Sequence, residues 1–472
     1  MSRSGFRRIR LTVKEIPPIR LNQSFPEYLV QPDILTFERR LGIAMFEPGD
    51  VGSGRLLTHR KLAFWMLFVG TAFLMIYVRV MMRLDVHPIF LAYVWAVAAT
   101  IILRYVFYAI YKPPLLISGE YQPSVTVIVP AKNESSVVYQ TAESLNRLDY
   151  PKDKISVILV NDGSEDDTGF WIDKCRDDFG FHAIHLNQNM GKRLAIAKAM
   201  ENNISDITVL VDSDSSLRED SLLEGLRGFS SPKIAAICGH TDVENSRVTW
   251  LTRMQTQQYF IAFKTFKSLE GFFGSVICCS GAFSIYRTAA IMPLIDVWKN
   301  QKFLGRTRTF GDDRGLTNLL LKEGYDTIYI PEAKAKTIVP QNLRTYLKQQ
   351  LRWRRSFLME SFSALGHMWR RPLGASTMFY VVLSLTLMSP FVVSYFLFLG
   401  PIISGFNPLV YLAGLALIIL LHQTFYWAFN LPPADKVGFF SLMPMLPVWI
   451  FFTLALLPYA MLTIRTGSWG TR

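Results

Sequence analysis

Hydrophobic positions along the chain follow two regimes. Between about residues 115 and 370 short apolar runs alternate with charge-rich stretches, whereas both flanks carry long unbroken apolar segments. Residues 62–82 and 88–111 lie on the N-terminal side, and 376–399 and 408–430 on the C-terminal side. Each reaches the roughly 20 apolar residues that a helix needs to cross a bilayer. Residues 439–464 are as apolar, but Pro444, Pro447 and Pro458 interrupt them. Proline removes a helix donor and clashes with the preceding turn. This last segment is therefore expected to bend or re-enter along the interface, which leaves four spans around a middle domain.

In the middle domain, residues 125–129 form a β-branched run stopped by Pro130, and 155–160 another, stopped by Asn161-Asp162-Gly163. A third, 207–211, ends at Asp212, and helical patterns intervene at 135–148 and 191–202. Strands alternating with helices predict βαβ units and a mainly parallel sheet. Ligands of such sheets collect beyond the carboxyl ends of the strands. Polar residues follow all three ends: Lys132-Asn133-Glu134, Asp162-Gly163-Ser164 and Asp212-Ser213-Asp214. One site built from three strand ends is the economical reading.

Each piece alone admits two meanings. Asp-Gly-Ser is also a plain turn, since Asp and Gly suit turns for local backbone reasons. Asp212 and Asp214, two carboxylates after a buried strand, suit a hard divalent cation such as Mg2+ or Mn2+. Such a cation would bridge diphosphate oxygens as a Lewis acid. The same acids would equally belong to a solvated loop, or cap a helix starting near Ser216. Lys192 opens a helical pattern after Gly191, where lysine and helix N-terminus together meet phosphate or the lysine is simply solvated. Gly311-Asp312-Asp313-Arg314 sets two acids beside an arginine. They tune one another and leave one poised as a base, or merely decorate a helix N-terminus.

Residues 343–369 form an amphipathic helical pattern. Leu343, Leu347, Leu351, Leu358, Phe362, Leu365 and Trp369 fall in one stripe, with Gln349, Arg352, Trp353 and Ser356 opposite. Lys348, Arg354, Arg355, Arg370 and Arg371 add positive charge. A basic amphipathic helix directly before a span is expected to lie in the membrane interface. Its polar side would present an amide, a guanidinium and an indole to the middle domain.

Half of the 472 residues are hydrophobic, too unevenly placed for one soluble core. The formal charge of +13 would by itself admit nucleic acid. The basic residues cluster beside the apolar segments, however, where membrane lipid headgroups are sufficient partners, so no nucleic-acid partner is expected. Segment 1–61 is basic, with Arg3, Arg7, Arg8, Arg10, Arg20, Arg39 and Arg40 ahead of Arg60 and Lys61. That bias puts the N-terminus and, after two spans, the middle domain in the cytoplasm of a multi-pass plasma-membrane protein. The first apolar run begins too late for a secretory signal. Cys175, Cys238, Cys278 and Cys279 show no metal-ligand spacing, and a cytosolic domain is not expected to carry framework disulfides.

Asp162 in Val-Asn-Asp-Gly-Ser, Asp212-x-Asp214, Gly311-Asp312-Asp313-Arg314 and Gln349-x-x-Arg352-Trp353 resemble, in order and spacing, the motifs of processive family 2 glycosyltransferases. The likeness covers roughly residues 120–360 and is greatest to hyaluronan synthases and nodulation chitin-oligosaccharide synthases. Gly311 to Asn318, Cys278-Cys279-Ser280-Gly281 and Lys348 to Trp353 look like both groups. Ser468-Trp469-Gly470-Thr471-Arg472 looks like a C-terminal motif of hyaluronan synthases. Ala282 stands where those commonly have proline, and Gly315 where both groups often have histidine.

The resemblance implies an α/β GT-A glycosyltransferase domain at 115–342, inserted between transmembrane helices at 62–111 and 376–430. It also implies an interfacial helix at 343–371, an interfacial or re-entrant segment at 439–464, and a cytoplasmic tail at 465–472. Glu134 and Asp162 would hold uridine, Lys192 would meet the diphosphate, Asp212 the nucleotide, and Asp214 the metal, Mn2+ or Mg2+. Asp313 would be the base, with Asp312 its neighbour. Gln349 and Trp353 would line the acceptor end, with Arg352 also near the pyrophosphate, and Trp469 and Arg472 would close over the nucleotide. The implied reaction is processive, inverting transfer from a UDP-sugar of the N-acetylglucosamine type onto a growing polysaccharide acceptor. The product would be β-linked, hyaluronan- or chitin-like, and secreted through the protein's own channel. A non-processive enzyme adding one sugar to a lipid carrier would share Asp-Gly-Ser and Asp-x-Asp, but has no use for Gln-x-x-Arg-Trp beside several spans. A transporter or receptor with a degenerate nucleotide domain would not need every acid and the Arg-Trp pair.

Overall fold

The β-branched runs of the middle domain form the centre of an eight-stranded sheet. The computed structural model describes residues 60–70, 88–116, 121–430 and 437–465. Most of the basic N-terminal segment, residues 71–82 of the first expected span, and the tail with Trp469 and Arg472 lie outside them.

The sheet comprises β1 (Val125–Ala131), β2 (Ile155–Asn161), β3 (His182–His185), β4 (Ile207–Leu210), β5 (Ser215–Leu217), β6 (Ile234–Val243), β7 (Ser284–Arg287) and β10 (Asp326–Thr337). Their order is β3-β2-β1-β4-β7-β6-β10-β5. A small hairpin, β8 (Lys302–Phe303) and β9 (Arg306–Thr307), stands apart. The first four strands in that order are parallel, as expected. β7 runs antiparallel between β4 and β6, and β5 antiparallel on β10, so the whole sheet is mixed. The helix entertained near Ser216 is absent: Ser215–Leu217 is β5, and a helix begins only at Ser221. β1 also continues through Pro130, which pairs with Val160 of β2. The missing N–H costs little there, because the pairing of β1 with β4 has already ended at Ile128.

The helices used below are α1 (Pro88–Ile110), α2 (Val137–Asn146), α3 (Thr168–Phe179), α4 (Lys192–Met200), α5 (Trp250–Ile261), α6 (Thr288–Lys299), α7 (Asp312–Lys322) and α8 (Leu343–Ala364). Alternate residues of β1 feed two cores, as the two-residue period of a strand requires. Val127 and Val129 pack with Val138 and Leu145 of α2 and Ile172 of α3. Ile128 packs with Ala195 of α4, Trp298 of α6 and Leu320 of α7. Covered on both faces, the sheet exposes its functional groups only at its ends.

Among the described residues four helical stretches are long and apolar enough to cross a membrane: Pro88–Ile110, Leu373–Ser404, Pro408–Phe429 and Phe439–Leu462. The last is a succession of a 3-10 turn (Phe439–Leu442), a helix (Met445–Phe451), a π turn (Phe452–Leu456) and a second helix (Leu457–Leu462). Pro444 and Pro447 fall just before or within the first turn of the first helix, where a missing N–H deprives no bond, whereas Pro458 comes just after the π turn inside a continuous helical run. Against this segment lies part of the apolar stripe of α8. Leu358 is fully buried with Leu457 and Ala460, flanked by Leu351 and Phe362. Tyr346 stacks near Phe452, and Arg355 donates to Thr463 Oγ1 (2.7 Å).

Candidate active site

The loops leaving β1 and β2 are stitched together. The N–H of Asn133 donates to Ser164 Oγ (3.0 Å), and that of Glu165 to Asn133 Oδ1 (2.9 Å). The N–H groups of Glu134 and Ser135 both donate to Thr168 Oγ1 (2.8 and 2.9 Å). Asn133 and Ser135 sit at φ 55° and 45°, the left-handed region that side chains rarely enter. Such strain persists only where neighbours over-determine it, and here it fixes Glu134 between them.

Asp162 is buried, and its two carboxylate oxygens accept the N–H groups of Met190 (2.7 Å) and Gly191 (2.9 Å). It thereby sets the turn that starts α4. A carboxylate has about four acceptor sites, so two bonds leave some for a ligand. Lys192, first on α4, donates to Asp212 Oδ1 at the end of β4. Burial pulls the Lys192 pKa down, but Asp212, Asp312 and Asp313 together hold it above its ordinary value, so the ammonium stays charged. Thr337 Oγ1 donates to Asp214 Oδ1 (3.3 Å).

Asn342 caps α8, its Oδ1 accepting the N–H of Thr345 (2.9 Å). From that start Thr345, Lys348, Gln349 and Arg352 recur at helical spacing and form one wall of a cleft of about 510 Å3. Glu134, Asp162, Lys192, Asp212 and Asp214 line the same cleft. Four basic groups (Lys132, Lys192, Lys348, Arg352) face four acids there, a balance suited to a polyanion that arrives with a cation.

Asp312, Asp313 and Trp353 are not in that lining. The two acids open α7, with Asp312 buried against Arg193 (Nε to Oδ1, 3.0 Å). Burial pushes the Asp312 carboxyl above its ordinary value, and Arg193 and Lys192 pull it back only in part. Asp313 is half-buried; its Oδ1 accepts the N–H of Arg314 (2.7 Å) and its Oδ2 the thiol of Cys278 (3.3 Å). Trp353 is 41% exposed, its ring centroid 6.3 Å from that of Tyr259. Gly281 is a site residue to which sequence reasoning gave no role. A Cβ there would stand 2.9 Å from Lys192 Nζ and 3.0 Å from Asp212 Oδ1. One sequence signals this only through the Cys-Cys-Ser-Gly string.

No group of three or more His, Cys, Asp or Glu side chains is placed to hold a metal among the described residues. Asp212 and Asp214 supply two hard oxygen donors at the mouth of the cleft. That set fits a divalent cation whose remaining ligands are diphosphate oxygens and water.

A family model described as chitin synthase matches residues 173–472, more than half of the chain. An N-acetylglucosaminyltransferase of Azorhizobium caulinodans is 39% identical over 246 residues, 52% of this chain and 62% of the relative. One of Rhizobium meliloti is 36% identical over 248 residues, 52% of this chain and 58% of the relative. The chain thus spans about three-fifths of the length of these curated relatives. Among solved structures, a mannosyltransferase of Pyrobaculum calidifontis in complex with GDP-Man and Mn2+ superposes with a TM-score of 0.53 at 17% identity. That match covers 79% of this chain and 97% of the other, and the likeness is one of fold.

Gly281→Ala should force the Lys192–Asp212 pair to shift by a few tenths of an ångström. UDP affinity is expected to fall by about 3- to 10-fold, roughly 1 kcal/mol, with the melting temperature little changed. Unaltered affinity in a titration would show that the pair does not serve the nucleotide.

Proposed function

The chain belongs to the chitin synthase family and has the GT-A glycosyltransferase fold, and from that premise we propose that it is a membrane-embedded, processive, inverting glycosyltransferase. Its donor is a UDP-sugar of the N-acetylglucosamine type, and its acceptor the growing β-linked polysaccharide. The observation that carries this reading is the meeting, in one cleft, of the acids after three strands with the polar wall of α8. Donor-binding and acceptor-binding chemistry thereby face each other. That the relatives are N-acetylglucosaminyltransferases supports N-acetylglucosamine as the sugar.

In this reading Glu134 and Asp162 hold the uridine, while Lys192 and Arg352 meet the diphosphate. A divalent cation, Mn2+ or Mg2+, bound by Asp214 beside Asp212, would neutralise charge on the departing diphosphate. Asp313 accepts the proton of the acceptor hydroxyl as that oxygen bonds to the anomeric carbon. The bond from that carbon to the diphosphate breaks, and UDP leaves with the electron pair. Gln349 orients a hydroxyl, and the exposed indole of Trp353 stacks on a sugar ring. Asp312 keeps Asp313 in place, and the tail with Trp469 and Arg472 closes over the nucleotide.

Apolar residues left uncovered on the long helices support a bilayer setting. Leu373, Phe391, Ile402 and Leu462 are 83%, 75%, 82% and 86% exposed, an arrangement that water penalises and lipid does not. The product would leave through a channel among these helices. The direct test is turnover of the purified protein with Mn2+ and UDP-N-acetylglucosamine, alone and with UDP-glucuronic acid. Polymer from the first donor alone is expected. A requirement for both donors would mean a hyaluronan-like product, a single transferred sugar a lipid-carrier enzyme, and no turnover would sink the proposal.

Asp313→Asn should lower transfer by about 10^2- to 10^4-fold, the usual worth of a general base, with UDP affinity kept. Asp214→Ala should instead abolish the Mn2+ dependence of UDP binding. Near-normal polymerisation by the first variant, or unchanged metal dependence in the second, would withdraw these assignments.

Trp353→Ala should shorten the polymer and lower its yield more than it weakens UDP binding. Normal yield and length would reduce this side of α8 to a support.

Ile204 is 98% exposed on the catalytic domain, whereas Cys175, Cys238 and Cys279 are buried and Cys278 half-buried. A cysteine at Ile204→Cys should resist an impermeant thiol reagent in intact cells and react once the membrane is opened. Labelling from outside would reverse the proposed topology.

A further inference from the structure

Lys192 and Arg193 are consecutive on α4 but serve different acids. Lys192 pairs with Asp212 inside the cleft. Arg193 spends its donors in the interior: Nε on Asp312 Oδ1 (3.0 Å), Nη1 on the carbonyl of Trp298 (3.0 Å) and on Gln301 Oε1 (2.9 Å), and Nη2 on the carbonyl of Gly311 (2.9 Å). Trp298 Nε1 donates to the carbonyl of Asp312 (2.9 Å), so this acid is held by backbone and side chain at once. Beside them Glu360 of α8, fully buried, lies 3.6 Å from Arg193 Nη2. It accepts from Arg308 Nη1 (2.7 Å) and Asn318 Nδ2 (3.2 Å).

Two guanidinium groups thus face two carboxylates in a space where a side chain at 315 would press on one of each. A Cβ on Gly315 would stand 2.8 Å from Arg193 Nη2, 3.0 Å from Gln301 Oε1 and 3.3 Å from Glu360 Oε1. The glycine at this departure from the family pattern is what the network leaves room for. None of these charged groups lines the cleft, so nucleotide binding does not account for them. Stability alone is a poor reason for a buried ionic quartet, since apolar residues of similar volume often serve as well or better. A guanidinium fork, in contrast, fixes the relative position of the groups it bridges. Among them Arg193, Asp312 and Glu360 belong to the three helices that carry the site: α4 with Lys192, α7 with Asp313, and α8 with Gln349, Arg352 and Trp353.

We propose that Arg193 and Glu360 are positioning residues for the transfer step, locking the start of α7 to α4 and to α8 so that base, diphosphate and acceptor wall keep one geometry. The proposal rests on the reading of Asp313 as the base. Asp313→Asn tests that reading separately: if that variant polymerises normally, the base assignment falls whatever the Arg193 variants do.

Arg193→Lys keeps the charge but cannot span the same acceptors, and Glu360→Gln keeps the shape but not the charge. Each should lower kcat by about 10- to 100-fold, the scale of an ångström-sized misplacement, while KM for the donor and Kd for UDP stay within about threefold. The double variant should lose about as much as the worse single one, because both act through one network. Wild-type kcat in either folded variant would overturn the proposal. So would a rise in Kd that matches the loss in kcat, or losses that multiply in the double variant. Abolished UDP binding in both single variants would assign the network to folding instead, and equally overturn it.

Discussion

The catalytic end of this domain depends on how a few charges are kept from water. At the start of α4 two consecutive cations meet acids that arrive from different directions, Asp212 from the end of β4 and Asp312 from the start of α7. A charge left alone at the depth of Arg193 would cost several kcal/mol, so each pair pins both of its members. Asp162 adds a third constraint by taking the N–H groups of Met190 and Gly191, which sets the direction in which α4 departs. Cleft floor, second acid of the Asp-Asp pair and polar wall of α8 all take their places from this one helix start.

What could be read from the sequence had a local signature. Parallel strands bring all their carboxyl ends to one side, so locating three β-branched runs was enough to bring Glu134, Asp162 and Asp212 toward one cleft. β5 and β7, three and four residues long, are too short to show an alternation, and the mixed character of the sheet went unseen with them. Ser215 and Leu217 are buried beside β10, a tertiary pairing that overrides any capping pattern around Asp214. The buried network was equally invisible. Arg193 and Asp312 stand 119 positions apart, and no periodicity reports which distant acid will neutralise a given arginine.

The apolar stripe of α8 illustrates a different limit. A helical wheel tells which face avoids water, but not whether lipid or protein covers it. Here Leu351, Leu358 and Phe362 meet Leu457 and Ala460, while Leu343 at the start of α8 stays exposed, as does Trp369, which falls beyond the end of the helix in a 3-10 turn. The segment 439–462 can provide that cover because Pro444 and Pro447 fall at a helix start and Pro458 comes just after a π turn, so the helical run from 445 to 462 is unbroken. α8 is therefore held from both sides: Glu360 ties it to the α7 side, and the proline-punctuated segment supports it from the other. If α8 forms the wall between donor and acceptor as proposed, it needs such backing more than membrane affinity, because its side chains must stay within a fraction of an ångström of a working geometry.

Adjacent acids in sequence are not equivalent in space, and Asp312 and Asp313 differ in depth and in partners. Asp312 gives one oxygen to Arg193 and its carbonyl to Trp298, and is buried. Asp313, one residue on, is half-buried, and among the described residues its oxygens accept from its neighbour's N–H and from a thiol, a weak donor. Burial raises the Asp312 carboxyl above its ordinary value and Arg193 offsets that only in part, so this acid is tied to the guanidinium beside it. With Asp312 committed to Arg193, the proposed base cannot exchange roles with it. On the proposal that Asp313 is the base, the proton of the acceptor hydroxyl would pass to a carboxylate whose neighbour is held by Arg193.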